Sequence, residues 1–460
     1  MALDDIARWP VTTGNSLLTR ASVTTSNNVN LYRAIGYASG NFGKNLLWSA
    51  LELTLLFYLT DVLGIDPAVA GWSIFFSLCV SIVFDPIMGN LADRLRTPLG
   101  RSAPLILIGS PICGIAFALL FALPELGYRS VTVATFILVI FRFGFALMDA
   151  PHNSLLATLT LDSSRRGLLS AARFTFSSIA TVCVVVLMPS LRRAPHAGAT
   201  KMLTIVAAVG AMLSITTMLV AALSNFRADN PSKSWHIERR TVTKNAQAKF
   251  SRKVIIVLLI ALILNTGVPM FSKMILYHAN YIAMDPQRAN IIFVAMVIGQ
   301  LLGMLLWTPS LVRHPPVRLI EYACRGIILS VSLTYAIGGR GRFVDAIIAM
   351  FFGVNAGGLY MLIWLLVAEC VDNNASHHRV SAPSFIFSLA IVMIKAGQAI
   401  CAALSGQFLS AVGFKSSNTA NVNVVEMITG LQVGGPILAC VIVIALISTN
   451  PRLLGTSGAS

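Results

Sequence analysis

The chain has 460 residues and a formal net charge of +16; 56% of its residues are hydrophobic and only 11% are charged. Because an ordinary soluble domain carries roughly a quarter charged residues, this composition excludes such a domain and predicts a membrane protein. The positive charges are spread over the ends of apolar stretches and form no basic face with interleaved aromatic residues, which argues against nucleic-acid binding.

Twelve apolar stretches follow one another along the chain. Each is long enough to cross a hydrocarbon core of ~30 Å at ~1.5 Å per residue. They lie at about 40–63, 69–91, 104–124, 131–156, 168–190, 202–224, 254–278, 289–311, 319–338, 343–367, 380–411 and 426–449. The sequence therefore predicts an all-α membrane protein with twelve transmembrane helices, whose partner is the lipid bilayer.

A basic stretch separates the first six apolar stretches from the last six, which predicts two six-helix bundles joined by a linker. The predicted parts are a disordered cytoplasmic tail at 1–30, the N-terminal bundle at 31–225, a basic cytoplasmic linker at 226–253, the C-terminal bundle at 254–449 and a second tail at 450–460. The first tail is polar, without the compact apolar core of a secretory signal. Loops on one predicted side hold about twice as many Lys and Arg residues, which places both termini in the cytoplasm.

No pattern in the sequence indicates catalysis. The seven cysteines form no C-x-x-C pair, the histidines show no H-E-x-x-H spacing, and there is no phosphate-binding loop. We therefore expect no enzyme activity, no cofactor, no metal site and no ATP-driven transport within this chain.

The most informative segment joins the second and third apolar stretches. It reads D-P-x-x-G-x-x-x-D-R-x-R-x-x-x-G-R-x-x-P, from Asp85-Pro86 through Gly89, Asp93, Arg94, Gly100 and Arg101 to Pro104. An ordinary basic loop would explain the arginines, but not the spacing of the Asp-Pro pair, the two glycines and the closing proline. The segment resembles the loop between helices 2 and 3 of the glycoside–pentoside–hexuronide:cation symporters, a branch of the major facilitator superfamily. In that family it acts as a conformational loop.

Other segments carry the same resemblance into both predicted bundles. MDAPHNSL is similar to the family's helix-4 segment M-D-x-P-x-x-S-L, which implies sugar binding by Asp149. The following loop places the family's helix-5 arginine on Arg173, and the elements AECVD and MIKAGQA place its helix-11 lysine on Lys395. The resemblance implies a monomeric, multi-pass secondary transporter of the bacterial inner membrane that moves a small polar solute by alternating access.

The chain also departs from the family pattern. The helix-1 element G-K-D reads Gly43-Lys44-Asn45, so Asn45 replaces a carboxylate that contacts sugar, and Asn153 replaces an aromatic platform beside Asp149. The family's W-D-x-x-N-D-P element in helix 2 retains only Asp85 of its cation-binding side chains. A sodium cage needs several oxygen ligands, so we expect coupling to protons, with Asp85 and Glu52 as the carriers.

Ionisable residues inside a membrane are costly and mark functional sites. Within the predicted spans we select as candidates five bases, Lys44, Arg142, Arg173, Lys273 and Lys395, and three acids, Glu52, Asp85 and Asp149. The excess of positive charge favours an anionic solute such as a sugar acid, with Arg142 as a further binding residue. The alternative for each base is a long side chain near a helix end that reaches water.

The sequence thus predicts a transporter of a sugar or sugar acid, with Asp149, Arg173, Lys395, Asn45, Asn153 and Arg142 binding the solute. Two alternatives stay open. The chain could transport another organic solute, such as a siderophore or a metabolite, in either direction. It could also be a membrane sensor that has lost transport, because its cation site is incomplete.

Overall fold

The computed structural model describes residues 31–95, 97–159, 163–192, 199–225, 252–376, 383–415 and 422–450. The described part is built from twelve long α-helices. The first six are α1 (Leu31–Phe57), α2 (Pro67–Arg94), α3 (Ala103–Ala122), α4 (Val131–Leu159), α5 (Ser163–Arg192) and α6 (Ala199–Asn225). The second six are α7 (Arg252–Tyr277), α8 (Pro286–Trp307), α9 (Pro316–Ile337), α10 (Arg342–Ser376), α11 (Pro383–Ala411) and α12 (Val422–Ser448). The predicted all-α class with twelve helices is confirmed.

The two tails and almost all of the predicted linker lie outside the described residues, and α7 already begins at Arg252. Several helices differ in length from the predicted stretches; α1, for example, begins at Leu31 and not at about 40. α10, which contains the AECVD segment, continues beyond the predicted end at about 367 to Ser376. α11 begins at Pro383, where proline fits the first turn because its missing N–H has no intrahelical partner there.

The packing of the first six helices recurs in the second six. Within the first half α1 packs against α5 and α6, α4 against α2 and α3, and α3 against α6. Within the second half α7 packs against α11 and α12, α10 against α8 and α9, and α9 against α12. The described helices therefore form two bundles of the same design, as the two-bundle prediction requires.

Each bundle also begins in the same way. α1 ends in a π-helical turn at Tyr58–Val62, and α7 ends in one at His278–Ile282. The next helix then starts with a proline at its first position, Pro67 in α2 and Pro286 in α8. Asp66 caps α2 by accepting hydrogen bonds from the amides of Ala68 and Val69.

Ten of the described helices are long and apolar enough to cross a membrane. The other two long helices are α1 and α5, and α5 contains a shorter apolar stretch at Ala172–Leu187. Both helices carry polar side chains on the face they turn to each other, which lowers their hydropathy. These polar faces border the cavity described below.

The two bundles meet along α1–α7, α2–α11 and α5–α8. At the start of α2 the backbones of α2 and α11 cross closely, because a Cβ on Gly406 would lie 2.1 Å from the carbonyl oxygen of Pro67. Nearby, the Ser410 hydroxyl donates to the Asp66 carboxylate at 3.0 Å. We call this end, where the end of α11 meets the start of α2, the closed end.

The segment from Asp85 to Pro104 leaves α2 through a tight turn. Arg94, the last residue of α2, donates from Nε to Asn90 at 3.1 Å. Gly100 has φ +90°, a conformation that favours glycine, and the Thr97 hydroxyl donates to its carbonyl oxygen at 2.7 Å. The Asp93 side chain lies outside the described part of the structure.

The close packing of α8 against α10 can be tested at a glycine of their crossing. A Cβ on Gly353 would lie 2.1 Å from the carbonyl oxygen of Met296, so Gly353→Ala must push two helix backbones apart. We expect it to destabilise the protein by about 1–3 kcal/mol and to lower its thermal unfolding midpoint in detergent.

The matched control is Gly430→Ala in α12, where a new Cβ meets no atom within 4 Å. Alanine is the better helix former by about 1 kcal/mol, so this variant should be as stable as the parent or more so. Equal unfolding midpoints for the two variants would contradict the close crossing.

Candidate solute-binding cavity

A cavity of about 520 Å³ lies between the two bundles. Helices α1, α4 and α5 form its wall on the N-terminal bundle, and α7, α8, α10 and α11 form the opposite wall. Six of the eight sequence-predicted site residues line it, namely Asn45, Glu52, Asp149, Asn153, Arg173 and Lys395. Asp85 and Arg142 lie just behind this lining.

Lys44 joins α1 to α4 at the cavity wall. Its Nζ lies 2.6 Å from the Asp149 carboxylate and 2.8 Å from the Asn153 side-chain oxygen. The lysine is buried, whereas about a third of the Asp149 side chain faces the cavity. Lys44 thus neutralises Asp149 and leaves part of the carboxylate open to a ligand.

Arg173 on α5 lies beside this pair and has only neutral partners among the described residues. Its Nη2 donates to Asn153 at 2.6 Å, its Nε donates to Asn41 at 3.3 Å, and its guanidinium lies 5.5 Å from the centre of the Tyr37 ring. Asn153 therefore links Arg173 to Lys44 through one shared acceptor oxygen. No described carboxylate pairs with this guanidinium at the cavity.

Polar side chains also connect α1 and α5 directly. Asn41, Asn45 and Ser49 follow each other at intervals of four residues, so they lie on one face of α1. Asn41 and Asn45 donate to the Ser177 hydroxyl at 2.7 and 3.0 Å, and Ser49 pairs with Thr181 at 2.9 Å. This ladder fixes Asn45 at the cavity wall.

Glu52, two turns beyond Asn45 on α1, pairs with a lysine of the other bundle. Lys273 on α7 donates to the Glu52 carboxylate at 2.9 Å and to its backbone carbonyl at 3.1 Å. The lysine is buried, and part of the Glu52 side chain faces the cavity. This ion pair joins the bundles at the cavity.

Asp85 pairs with the second lysine of the C-terminal bundle. Lys395 on α11 forms a hydrogen-bonded ion pair with the Asp85 carboxylate and donates to the Ser81 hydroxyl at 2.9 Å. Both acceptors belong to α2, one turn apart. The ammonium group therefore occupies the place at which the carboxylate and hydroxyl oxygens converge.

Arg142 is buried behind Trp48 and does not line the cavity in the described part of the structure. Its guanidinium lies 4.8 Å from the centre of the Trp48 ring, and the Lys395 ammonium lies 5.6 Å from the same ring. The contacts are cation–π interactions. Arg142 forms no ion pair with Asp149; Lys44 has that role.

The structure thus accounts for all eight candidate charges selected from the sequence. Each of the three carboxylates pairs with a lysine, Lys44, Lys273 or Lys395. Among the described residues neither of the two arginines has a carboxylate within ion-pair distance. The positive excess at the cavity therefore resides on Arg173 and, behind Trp48, on Arg142.

On the wall formed by the C-terminal bundle, sequence reasoning found only Lys395, and it missed the aromatic residue of the N-terminal wall. Gln300, Tyr360 and Gln398 line the cavity from α8, α10 and α11, and Trp48 lines it from α1. The amides and the tyrosine are uncharged, so the search for ionisable residues within the spans did not find them. Trp48 follows Lys44 by one helical turn and therefore lies on the same face of α1. That spacing could have indicated that Trp48 lines the cavity as well.

The family model described as MFS/sugar transport protein matches residues 36–451 of the chain. The inner membrane symporter YicJ of Escherichia coli strain K12 is 24% identical over 411 residues, which cover 85% of this chain and 86% of that protein. The glucuronide carrier protein homolog of the same strain is 21% identical over 420 residues, 88% of each chain.

Among solved structures, the nucleoside transporter NupG superimposes with a TM-score of 0.64 at 15% sequence identity. The match covers 91% of this chain and 99% of NupG. At so low a sequence identity, the similarity to NupG shows a shared fold and nothing more.

Proposed function

Because the chain belongs to the MFS/sugar transport protein family, we propose that the cavity between its bundles binds a sugar-like solute and carries it across the membrane. The chain is a multi-pass membrane transporter and not an enzyme. The observation that carries the proposal is the group formed by Lys44, Asp149, Asn153 and Arg173, which presents charged donors and acceptors inside a membrane-spanning fold.

This group suits a polyhydroxylated ring. The exposed part of Asp149 can accept hydrogen bonds from two hydroxyl groups, while Arg173 and Asn45 can donate to ring or hydroxyl oxygens. Lys395 stands on the other bundle beside Trp48, whose ring offers the apolar surface that Asn153 does not supply. A solute bound between them would contact both bundles at once, as alternating access requires.

We place the closed end outside the cell and the cavity towards the cytoplasm. Support comes from the basic loops, which by the positive-inside rule put both termini in the cytoplasm of a bacterial inner membrane. The turn with Arg94, Gly100 and Arg101 then lies on the cytoplasmic side beside α4. There the whole loop, including Asp93, is suited to control how the bundles approach each other.

A sugar acid is the favoured solute class. With all three cavity lysines paired to carboxylates, Arg173 remains as a cation that lacks an acidic partner among the described residues. Its guanidinium can hold a carboxylate through two parallel hydrogen bonds. Arg142 contributes from behind Trp48 through its charge rather than through contact.

Protons suit the coupling site better than sodium. The Lys395 ammonium occupies the place beside Asp85 and Ser81 that a cation would take. Glu52 and Asp85 each pair with a lysine of the opposite bundle, so protonating either carboxylate removes an attraction between the bundles. Proton binding and bundle movement are thereby linked.

Two other functions fit the same fold. Transport of a different organic solute, such as a siderophore or a metabolite, would use the same cavity with other partners. A membrane sensor without transport would bind a solute without moving it. Uptake of labelled solutes into vesicles, with and without an imposed ion gradient, separates the three.

We expect Asp149→Asn and Arg173→Ala each to abolish measurable uptake of the transported solute. Loss of one charge-assisted hydrogen bond costs about 2 kcal/mol or more, roughly a thirtyfold loss of affinity. Membrane insertion should be unchanged. Arg173→Lys keeps the charge without the planar fork and should restore uptake only in part.

The control for these two variants is Glu426→Gln, which removes an exposed carboxylate on α12 away from the cavity. It should transport like the parent. Parental uptake kinetics in a correctly inserted Asp149→Asn or Arg173→Ala variant would rule out the proposed binding group.

We expect uptake to follow the proton gradient and to ignore sodium. A proton uncoupler should abolish accumulation, and Asp85→Asn and Glu52→Gln should each weaken the response to external pH. Accumulation that rises steeply with external sodium at constant pH, and that survives the uncoupler, would contradict proton coupling.

For the charge of the solute, the measurement is competition between matched neutral glycosides and uronates. We expect the uronates to compete at least tenfold better, about 1.4 kcal/mol, and Arg142→Gln to reduce that preference. Equal competition by both series, with a ranking that Arg142→Gln leaves unchanged, would show that the site selects no anion.

A further inference from the structure

The closed end contains a carboxyl group that the proposed function does not use. Asp61 lies in the π-helical turn that ends α1, and only 8% of it is exposed. Its carboxylate forms a hydrogen bond with the Thr60 hydroxyl at 2.6 Å and another with the Tyr281 hydroxyl. The Thr60 hydroxyl also lies 2.8 Å from the Tyr277 hydroxyl.

These contacts join the two bundles. Asp61 and Thr60 belong to the N-terminal bundle, while Tyr277 and Tyr281 lie at the end of α7 and in the π-helical turn after it. The ring of Phe414, beyond the end of α11, packs edge-on against both tyrosines at 5.4 and 5.1 Å. Opening the closed end would separate Asp61 from both tyrosines and admit water to it.

Asp61 differs from the three cavity carboxylates in its partners. Glu52, Asp85 and Asp149 each have a lysine, but Asp61 has only hydroxyl groups around it in the described part of the chain. The titratable groups that face it are Tyr277 and Tyr281, which are neutral when protonated. No described lysine, arginine or histidine forms an ion pair with it.

An ionised carboxylate without a cation is expensive to bury, and the usual outcome is that the group takes up a proton. A protonated Asp61 can donate to the Thr60 hydroxyl, which in turn can donate to the Tyr277 oxygen. Tyr281 then donates to the remaining carboxyl oxygen, so the three hydrogen bonds among these groups are all kept. The closed geometry accommodates the neutral acid without loss of a hydrogen bond.

We propose that Asp61 is a proton-binding site, separate from the solute cavity, and that a proton taken up from the closed-end side stabilises the closed end. In the open arrangement Asp61 meets water and ionises as an ordinary carboxyl group. Since the closed arrangement binds the proton more tightly, acid on that side favours closure and alkali favours opening. The proposal goes beyond the proposed function, because it requires neither a solute nor coupling at Glu52 or Asp85.

The test measures opening directly. Ser410→Cys places a thiol at the closed end, where Ser410 contacts Asp66, and a membrane-impermeant thiol reagent reports its accessibility. Each rate is divided by that of Ser130→Cys in an exposed loop, which corrects for the reagent's own pH dependence. With Asp61 intact, the corrected rate should rise several-fold from about pH 5 to about pH 8.

Asp61→Asn mimics the protonated acid in size and neutrality, so its corrected rate should stay low at every pH. Tyr281→Phe removes one bond across the interface but keeps the carboxyl group, so it should raise the rate while preserving the pH dependence. The matched control, Glu125→Gln, removes a carboxylate within the N-terminal bundle that accepts from Thr200 at 2.8 Å, and it should behave like the parent.

A parent rate that does not change with pH, or an Asp61→Asn rate that follows the parent profile, would overturn the proposal. So would loss of the pH dependence in Glu125→Gln. Because the labelling needs no transported solute, a chain that fails every uptake assay can still show the Asp61 profile. The failure of the proposed function and the failure of this inference are therefore distinguishable.

Discussion

Ion pairing inside the membrane is the constraint on which the rest of this structure depends. A buried lysine without a counter-charge costs several kcal/mol, and the described part of the chain meets that cost by giving each cavity lysine one carboxylate. The positions of these partners set how the helices are rotated. Lys44 can reach Asp149 only if α1 and α4 turn these faces to each other, and the same reasoning fixes α7 against α1 and α11 against α2.

The three pairs divide into two kinds. Lys44 and Asp149 belong to one bundle, so they move together and form a rigid part of the binding wall. The other two pairs cross between bundles, with the carboxylates on α1 and α2 and the lysines on α7 and α11. When the bundles move, only the crossing pairs must break. We therefore expect a charge change at Glu52 or Asp85 to affect movement of the bundles, and a change at Asp149 to affect binding.

The sequence predicted the helices and several site residues because both signals are local. Apolar length revealed the twelve helices, and short motifs located Asp149, Arg173 and Lys395, which all line the cavity. The partners were not predictable, because pairing depends on helix rotation and on contacts such as that of Glu52 with Lys273, 221 residues away in the chain. Arg142 shows the same limit: the excess of positive charge suggested that it binds the solute, but its guanidinium lies behind the Trp48 ring.

The closed end is held by a different kind of contact from the cavity. There the bundles meet through hydroxyl groups, aromatic edges and a glycine crossing, and the carboxyl groups of Asp61 and Asp66 each accept from a hydroxyl group of the other bundle. A neutral hydrogen bond contributes about 1 kcal/mol net, so such an end opens more readily than one locked by buried ion pairs. With the ion pairs at the cavity and the weaker contacts at the closed end, we expect the protonation of Asp61 alone to shift the balance between closed and open.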